Sequence, residues 1–208
     1  MMRGLAAEAR IAYAREWPVH GGVVLSLGGE AAEETPMQKI AVVQGAPSSE
    51  IQALFRDLVA RWRPVLRIAG VIEEHHELPD RKCSAGYLRS IATGARYPIF
   101  QDLGPGADAC HLEGSGALTA TADVERGIAG GCDLVVLSKF GKLESIGQGL
   151  SGAFKAALTA GVPVLTTVSP SLMPRWTAFA SPLFVSLPAD PAQIDTWRRA
   201  VAAGASVQ

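Results

Sequence analysis

Apolar positions in this chain recur with two periods. Short, nearly continuous apolar runs at 39–43, 65–72, 133–137, 163–168 and 183–187 predict buried strands. Between them, apolar residues fall at helical spacing. The clearest case follows the first run, where Ile51, Leu54, Phe55, Leu58, Val59 and Trp62 recur at i, i+3, i+4 and i+7. Pro64 ends that pattern. Further helices are predicted at 117–128, closed by Gly130 and Gly131, at 150–160, closed by Gly161, and briefly at 176–180. Asp190 and Pro191 supply an N-cap and a first-turn proline for a last helix. Segments 87–91 and 97–99 read as a β-hairpin turning at Gly94, and the charged stretch 73–82 reads as a mobile loop.

Strands alternating with helices imply an α/β fold, a mainly parallel sheet covered on both faces, with the hairpin as an insertion. Ligands of such sheets bind at the carboxyl ends of the strands. That rule puts the loop from Gly45 to Ser49, the loop from Ser138 to Lys142 and the loop after Val168 along one crevice. Residues 37–204 are expected to form this single domain. Residues 1–36 are glycine-rich and acidic near Glu30, and are expected to be a poorly ordered, dispensable extension, with Met37 a natural start. The competing reading makes 23–27 an edge strand.

Charge and composition narrow the partners. A formal net charge of -1 gives no ground for binding nucleic acid or an anionic membrane, and no apolar run nears the roughly 20 residues of a bilayer span. With no convincing signal peptide, a cytoplasmic location is expected. The sequence leaves a homo-oligomer open. Three cysteines without CxxC spacing argue against a disulfide framework or zinc ribbon, and no metal site is expected. His75 and His76 are adjacent, point different ways and have no evident third ligand. Cys132 reads as a small core residue.

Two strand-to-loop junctions carry the candidate chemistry. The first strand runs into Gln44, Gly45, Ala46, Pro47, Ser48 and Ser49, and Ser49 with Gln52 fits a capping box at the following helix. Free N–H groups and the helix dipole favour an anion there, a phosphate or another oxyanion. The phosphate-binding pattern G-x-x-x-x-G-K-S/T, counted from Gly45, meets Glu50, Ile51 and Gln52 in place of its glycine, lysine and hydroxyl. At the second junction, the strand 133–137 opens into Ser138, Lys139, Phe140, Gly141 and Lys142, where a nucleotide hydrolase would carry acids for magnesium. The Lys139 ammonium is expected to emerge beside Gly45 and take the place of the missing loop lysine. A separate glycine-rich loop, Gln101, Asp102, Gly104, Gly106, Cys110 and His111, reads either as an oxyanion nest with a thiol and an imidazole beside it or as a structural turn.

Three segments, AGVIEE at 69–74 with YLRSIATGARYPI at 87–99, QDLGPGADACHL at 101–112, and DLVVLSKFGKLESIGQGL at 133–150 running into AGVPVLTTV at 160–168, resemble a bacterial family of unknown function. That family is related to the thermophile-type P-loop nucleoside triphosphatases, so the resemblance implies a P-loop NTPase-like fold from Met37 to the last helix. In the triphosphatases the segment matching 133–144 reads roughly V-I-D-E-I-G-K-M-E. Gly141, Lys142 and Glu144 keep their counterparts, whereas Ser138 and Lys139 replace the Asp-Glu pair. Family members are often described beside molybdenum-uptake genes. The resemblance thus implies a degenerate P-loop protein, regulatory or accessory, that binds a nucleotide or an oxyanion such as molybdate without ordinary hydrolysis. The alternatives are an active nucleoside-triphosphate phosphatase or kinase, which would need magnesium held by Asp102 or Glu144, and a scaffold that has lost its ligand.

Overall fold

The computed structural model describes residues 38–75, 86–101, 111–112 and 114–205. The expected extension 1–36 therefore lies outside the described residues. A seven-stranded sheet organises what is described. Its strands are β1 (Ile40–Gln44), β2 (Ile68–His75), β3 (Gly86–Ser90), β4 (Arg96–Pro98), β7 (Leu134–Leu137), β8 (Val164–Thr167) and β9 (Phe184–Pro188), and they lie in the order β4-β3-β2-β7-β8-β1-β9. The five strands from β2 to β9 in that order are parallel, and the hairpin β3–β4 adds antiparallel to β2 at one edge. Two short strands, β5 (Phe100–Gln101) and β6 (His111–Leu112), pair separately.

Helices cover both faces, because each buried strand alternates its side chains between two cores. Ala41, Val43, Leu134, Val136 and Leu165 meet α1 (Ser48–Trp62) and α5 (Pro191–Ala205). Ile40, Val42, Val135, Leu137 and Val164 meet α2 (Gly114–Ala129), α3 (Ser151–Thr159) and α4 (Met173–Ala180). In the second core Trp176 is fully buried, with its ring 5.0 Å from Phe140 and 5.5 Å from Phe154. Its indole N–H meets no acceptor among the described residues. Cys132 packs half-buried at the margin of this core, and burial pushes its thiol above the ordinary range.

Two local expectations are corrected. The second strand begins three residues later than the run at 65–72: residues 63–66 close α1, with Val65 and Leu66 N–H both donating to the Trp62 carbonyl, Val65 is 76% exposed, and β2 starts at Ile68. Moreover, the strand continues through Glu73, Glu74 and His75, which sequence places in a loop. The hairpin supplies the missing stabilisation, since Glu73 and Glu74 pair with Leu88 and Tyr87, and the Glu74 carboxylate accepts from Arg89 at 3.0 Å and Arg96 at 2.9 Å. The rest of the charged stretch, 76–82, lies outside the described residues. Elsewhere the caps form as expected: Gly131 (φ 80°) and Gly161 (φ 66°) end α2 and α3, and Asp190 accepts the Ala192 N–H at 2.8 Å.

Helix α5 is tied down by one carboxylate. Asp195 accepts from the Trp62 indole at 3.0 Å and from Arg198 at 3.0 Å, and Arg199 stands 2.9 Å away. Burial raises its pKa, but the hydrogen bond and charge of Arg198, with Trp62 and Arg199, outweigh that and hold the carboxyl below its ordinary value. A depressed native value means this contribution is complete above the unfolded value of 3.8 and fades as pH falls through the native one. Asp195→Asn should therefore lower stability at pH 7 by about 1 kcal/mol, and should flatten the acid side of the stability profile in urea unfolding.

Candidate functional site

A cavity of about 1010 Å³ opens at the carboxyl ends of β1, β7 and β8, and it brings the two junctions together. Gly45, Ala46, Pro47 and Ser48 form one wall, and Ser138, Lys139, Gly141 and Lys142 form another. Ser49 does not line the cavity and is exposed on the first turn of α1. Gly45 adopts φ +89°, which lets β1 turn directly into the helix after only Ala46 and Pro47. This turn is shorter than a phosphate-wrapping loop. The helix begins at Ser48 with no side-chain cap, so its first N–H groups face the cavity end of α1 without an intrahelical acceptor.

The expected capping box is not formed. Gln52 is buried and reaches across the sheet tips instead. Its amide nitrogen donates to the Ser138 carbonyl at 2.7 Å, and its amide oxygen accepts the Glu73 N–H at 3.0 Å. Gln52 holds the position where the phosphate-binding pattern has its metal-ligating hydroxyl. Here that side chain serves as a strut between α1, β2 and β7.

Lys139 lines the same cavity as the Gly45 loop, but it is not a free cation. Its ammonium lies 2.6 Å from Glu73 Oε2, with the lysine side chain 42% exposed and the glutamate 8%. The approach lacks hydrogen-bond geometry, so Oε2 stays without an aligned donor. Lys142, by contrast, is exposed on the cavity lining and forms no ion pair among the described residues. Glu144 is occupied structurally. Its Oε2 accepts the Gly141 N–H and its Oε1 the Leu150 N–H, both at 2.8 Å, across the 3-10 turn Glu144–Ile146. Gly149 (φ +58°) makes room for this, because a Cβ there would stand 2.2 Å from Oε1. At the tip of β8, Thr167 donates to the Val43 carbonyl at 2.7 Å, and Gln44 donates to the Val168 carbonyl at 3.4 Å.

Of the separate glycine-rich loop, only the backbone of Gln101 and His111 is described, paired across β5 and β6. Asp102, Gly104, Gly106 and Cys110 lie outside the described residues. Among the described residues no three His, Cys, Asp or Glu side chains group to hold a metal, and no helix is long and apolar enough to cross a membrane. Sequence reasoning missed Glu73 and misassigned Gln52. A signal for Gln52 was present: it shares the buried stripe with Phe55 and Val59, at i+3 and i+7, and a polar residue in such a stripe demands partners.

A parallel sheet with helices on both faces, an inserted edge hairpin and a crevice where β1 meets its helix define a P-loop NTPase-like α/β fold. Residues 40–197 match the family described as "Protein of unknown function (DUF2478)", and the chain belongs to that family. It is also 30% identical over 168 residues, 80% of its length, to a protein of Bradyrhizobium diazoefficiens named "Molybdenum import ATP-binding protein ModC 2". The chain spans only 19% of that relative. No solved structure matches it.

Removing the Gln52 strut should leave a buried N–H and a buried carbonyl unpaired. Gln52→Leu is expected to cost about 2–4 kcal/mol in chemical denaturation. Glu144→Gln and Gly149→Ala disturb the same carboxylate, one by turning an NH₂ against an N–H, the other by occupying its space. Each should cost about 1–3 kcal/mol, and the double variant less than their sum, as read in a double-mutant cycle.

Proposed function

We propose that this protein is a P-loop-derived binding protein, regulatory or accessory in role. It takes a nucleotide or an oxyanion, molybdate among them, in the crevice at the tips of β1, β7 and β8, and it does not hydrolyse it in the ordinary way. One observation carries this reading. The positions that would supply the metal-ligating hydroxyl and the acids are held by Gln52, Ser138 and Lys139, and Gln52 is hydrogen-bonded to the carbonyl of Ser138. The retained acid, Glu144, has both oxygens committed to backbone N–H groups, which counts against its holding magnesium for a relocated hydrolytic site. The N-terminus of α1 and the exposed Lys142 favour an anion in the crevice. The name of the Bradyrhizobium relative supports a connection to nucleotide and to molybdenum uptake.

Purified protein is expected to release no phosphate from ATP or GTP above the blank, with or without magnesium. A thermal-shift screen should raise the melting temperature with a nucleotide, molybdate, tungstate or sulfate. At a hundredfold excess over Kd the gain is about 2.7 kcal/mol, or roughly 5–10 °C for a chain of this size. Magnesium-dependent turnover would establish the phosphatase or kinase alternative, and a screen without any shift would leave a scaffold without ligand.

A further inference from the structure

The cavity holds one group that an anion-binding crevice does not need, the buried carboxylate of Glu73. Its backbone is fixed, with the N–H bound to Gln52 at 3.0 Å and the carbonyl accepting from Arg56 at 3.4 Å. Glu73 lines the cavity, and its Oε2 is enclosed with no aligned hydrogen-bond donor among the described residues. An ion pair without an aligned hydrogen bond leaves that acceptor only partly satisfied. Among the described residues the Lys139 ammonium is ion-paired with it at 2.6 Å, on a side chain still 42% exposed.

The charges leave a bare oxyanion poorly served. If molybdate or phosphate drew Lys139 to itself, Glu73 would remain buried and unpaired, a strongly unfavourable exchange. If Lys139 stayed with Glu73, the anion would have Lys142 and the α1 N-terminus but would face the carboxylate. Size points the same way. About 1010 Å³ is at the upper end of the range, roughly 300–1,000 Å³, that organic ligands occupy. One side of the cavity is apolar, built from Leu88, Ile99, Ala117, Phe140 and Leu150.

Resting on the proposed binding role, we infer that the occupant is an organic anion of the nucleotide class, with an N–H donor on an aromatic body, and that Glu73 selects it by accepting that donor. The anionic group lies toward Ser48, Lys139 and Lys142, and the ring lies along the apolar wall. Lys139 passes from Glu73 to the ligand anion while the ligand donor replaces it on the carboxylate. No buried charge is then left alone.

Calorimetric titration of the full chain tests this with ADP, CDP and GDP, whose bases carry an amine, against the diphosphate of unsubstituted purine riboside, inorganic phosphate and molybdate. At least one amine-bearing nucleotide should bind about tenfold more tightly than the purine analogue and than either inorganic anion, the order expected of one charge-assisted hydrogen bond. Glu73→Gln keeps a neutral acceptor and should narrow that difference to about threefold, whereas Lys142→Ala should weaken nucleotide and analogue alike. The comparison on the unaltered protein stands even if the Glu73 variant fails to fold. Equal binding of nucleotides and analogue overturns the inference. So does binding of molybdate alone, strengthened by Glu73→Gln, which would leave the broader binding role standing. If none of the probes binds, that role falls and this inference with it.

Discussion

The side-chain amide of Gln52 is the constraint on which the crevice depends. A parallel sheet leaves the backbone groups at its carboxyl edge unpaired where strands end and loops diverge. In this protein one amide satisfies a carbonyl at the tip of β7 and an N–H at the tip of β2, from the first turns of α1. That single side chain links three elements that border the cavity. Because both hydrogen bonds are buried, an apolar replacement loses both and gains nothing comparable.

Much of the architecture was legible in the order of apolar runs. The strands at 40–44, 134–137, 164–167 and 184–188 are flanked by glycine, proline or an N-cap, so local signals and burial agree. The errors fall where tertiary contacts override composition. Val65 is apolar but follows a helix that has not yet closed, so it ends on the surface. Glu73 and Glu74 look like loop residues until the arginines of the hairpin, distant in sequence, come alongside. No periodicity contains that information.

The crevice shows the same division. That the loops beginning at Gly45 and Ser138 share a cavity follows from strand order and the carboxyl-end rule, both readable in sequence. The pairing of Lys139 with Glu73 was not readable, because Glu73 lies two residues past the last parallel pairing of β2, in the stretch that pairs with β3. Lys139 is ion-paired with Glu73, and among the described residues of the lining the exposed cation is Lys142. Glu144 holds a turn by two N–H groups, with a glycine at 149 kept small to admit it.

The aromatic packing behind the crevice has a practical side. Phe140 forms part of the cavity lining and also touches the enclosed indole of Trp176 at 5.0 Å between ring centres. Any occupant that displaces Phe140 alters the surroundings of a chromophore no solvent reaches. The fluorescence of that tryptophan thus offers a built-in, label-free gauge of occupancy.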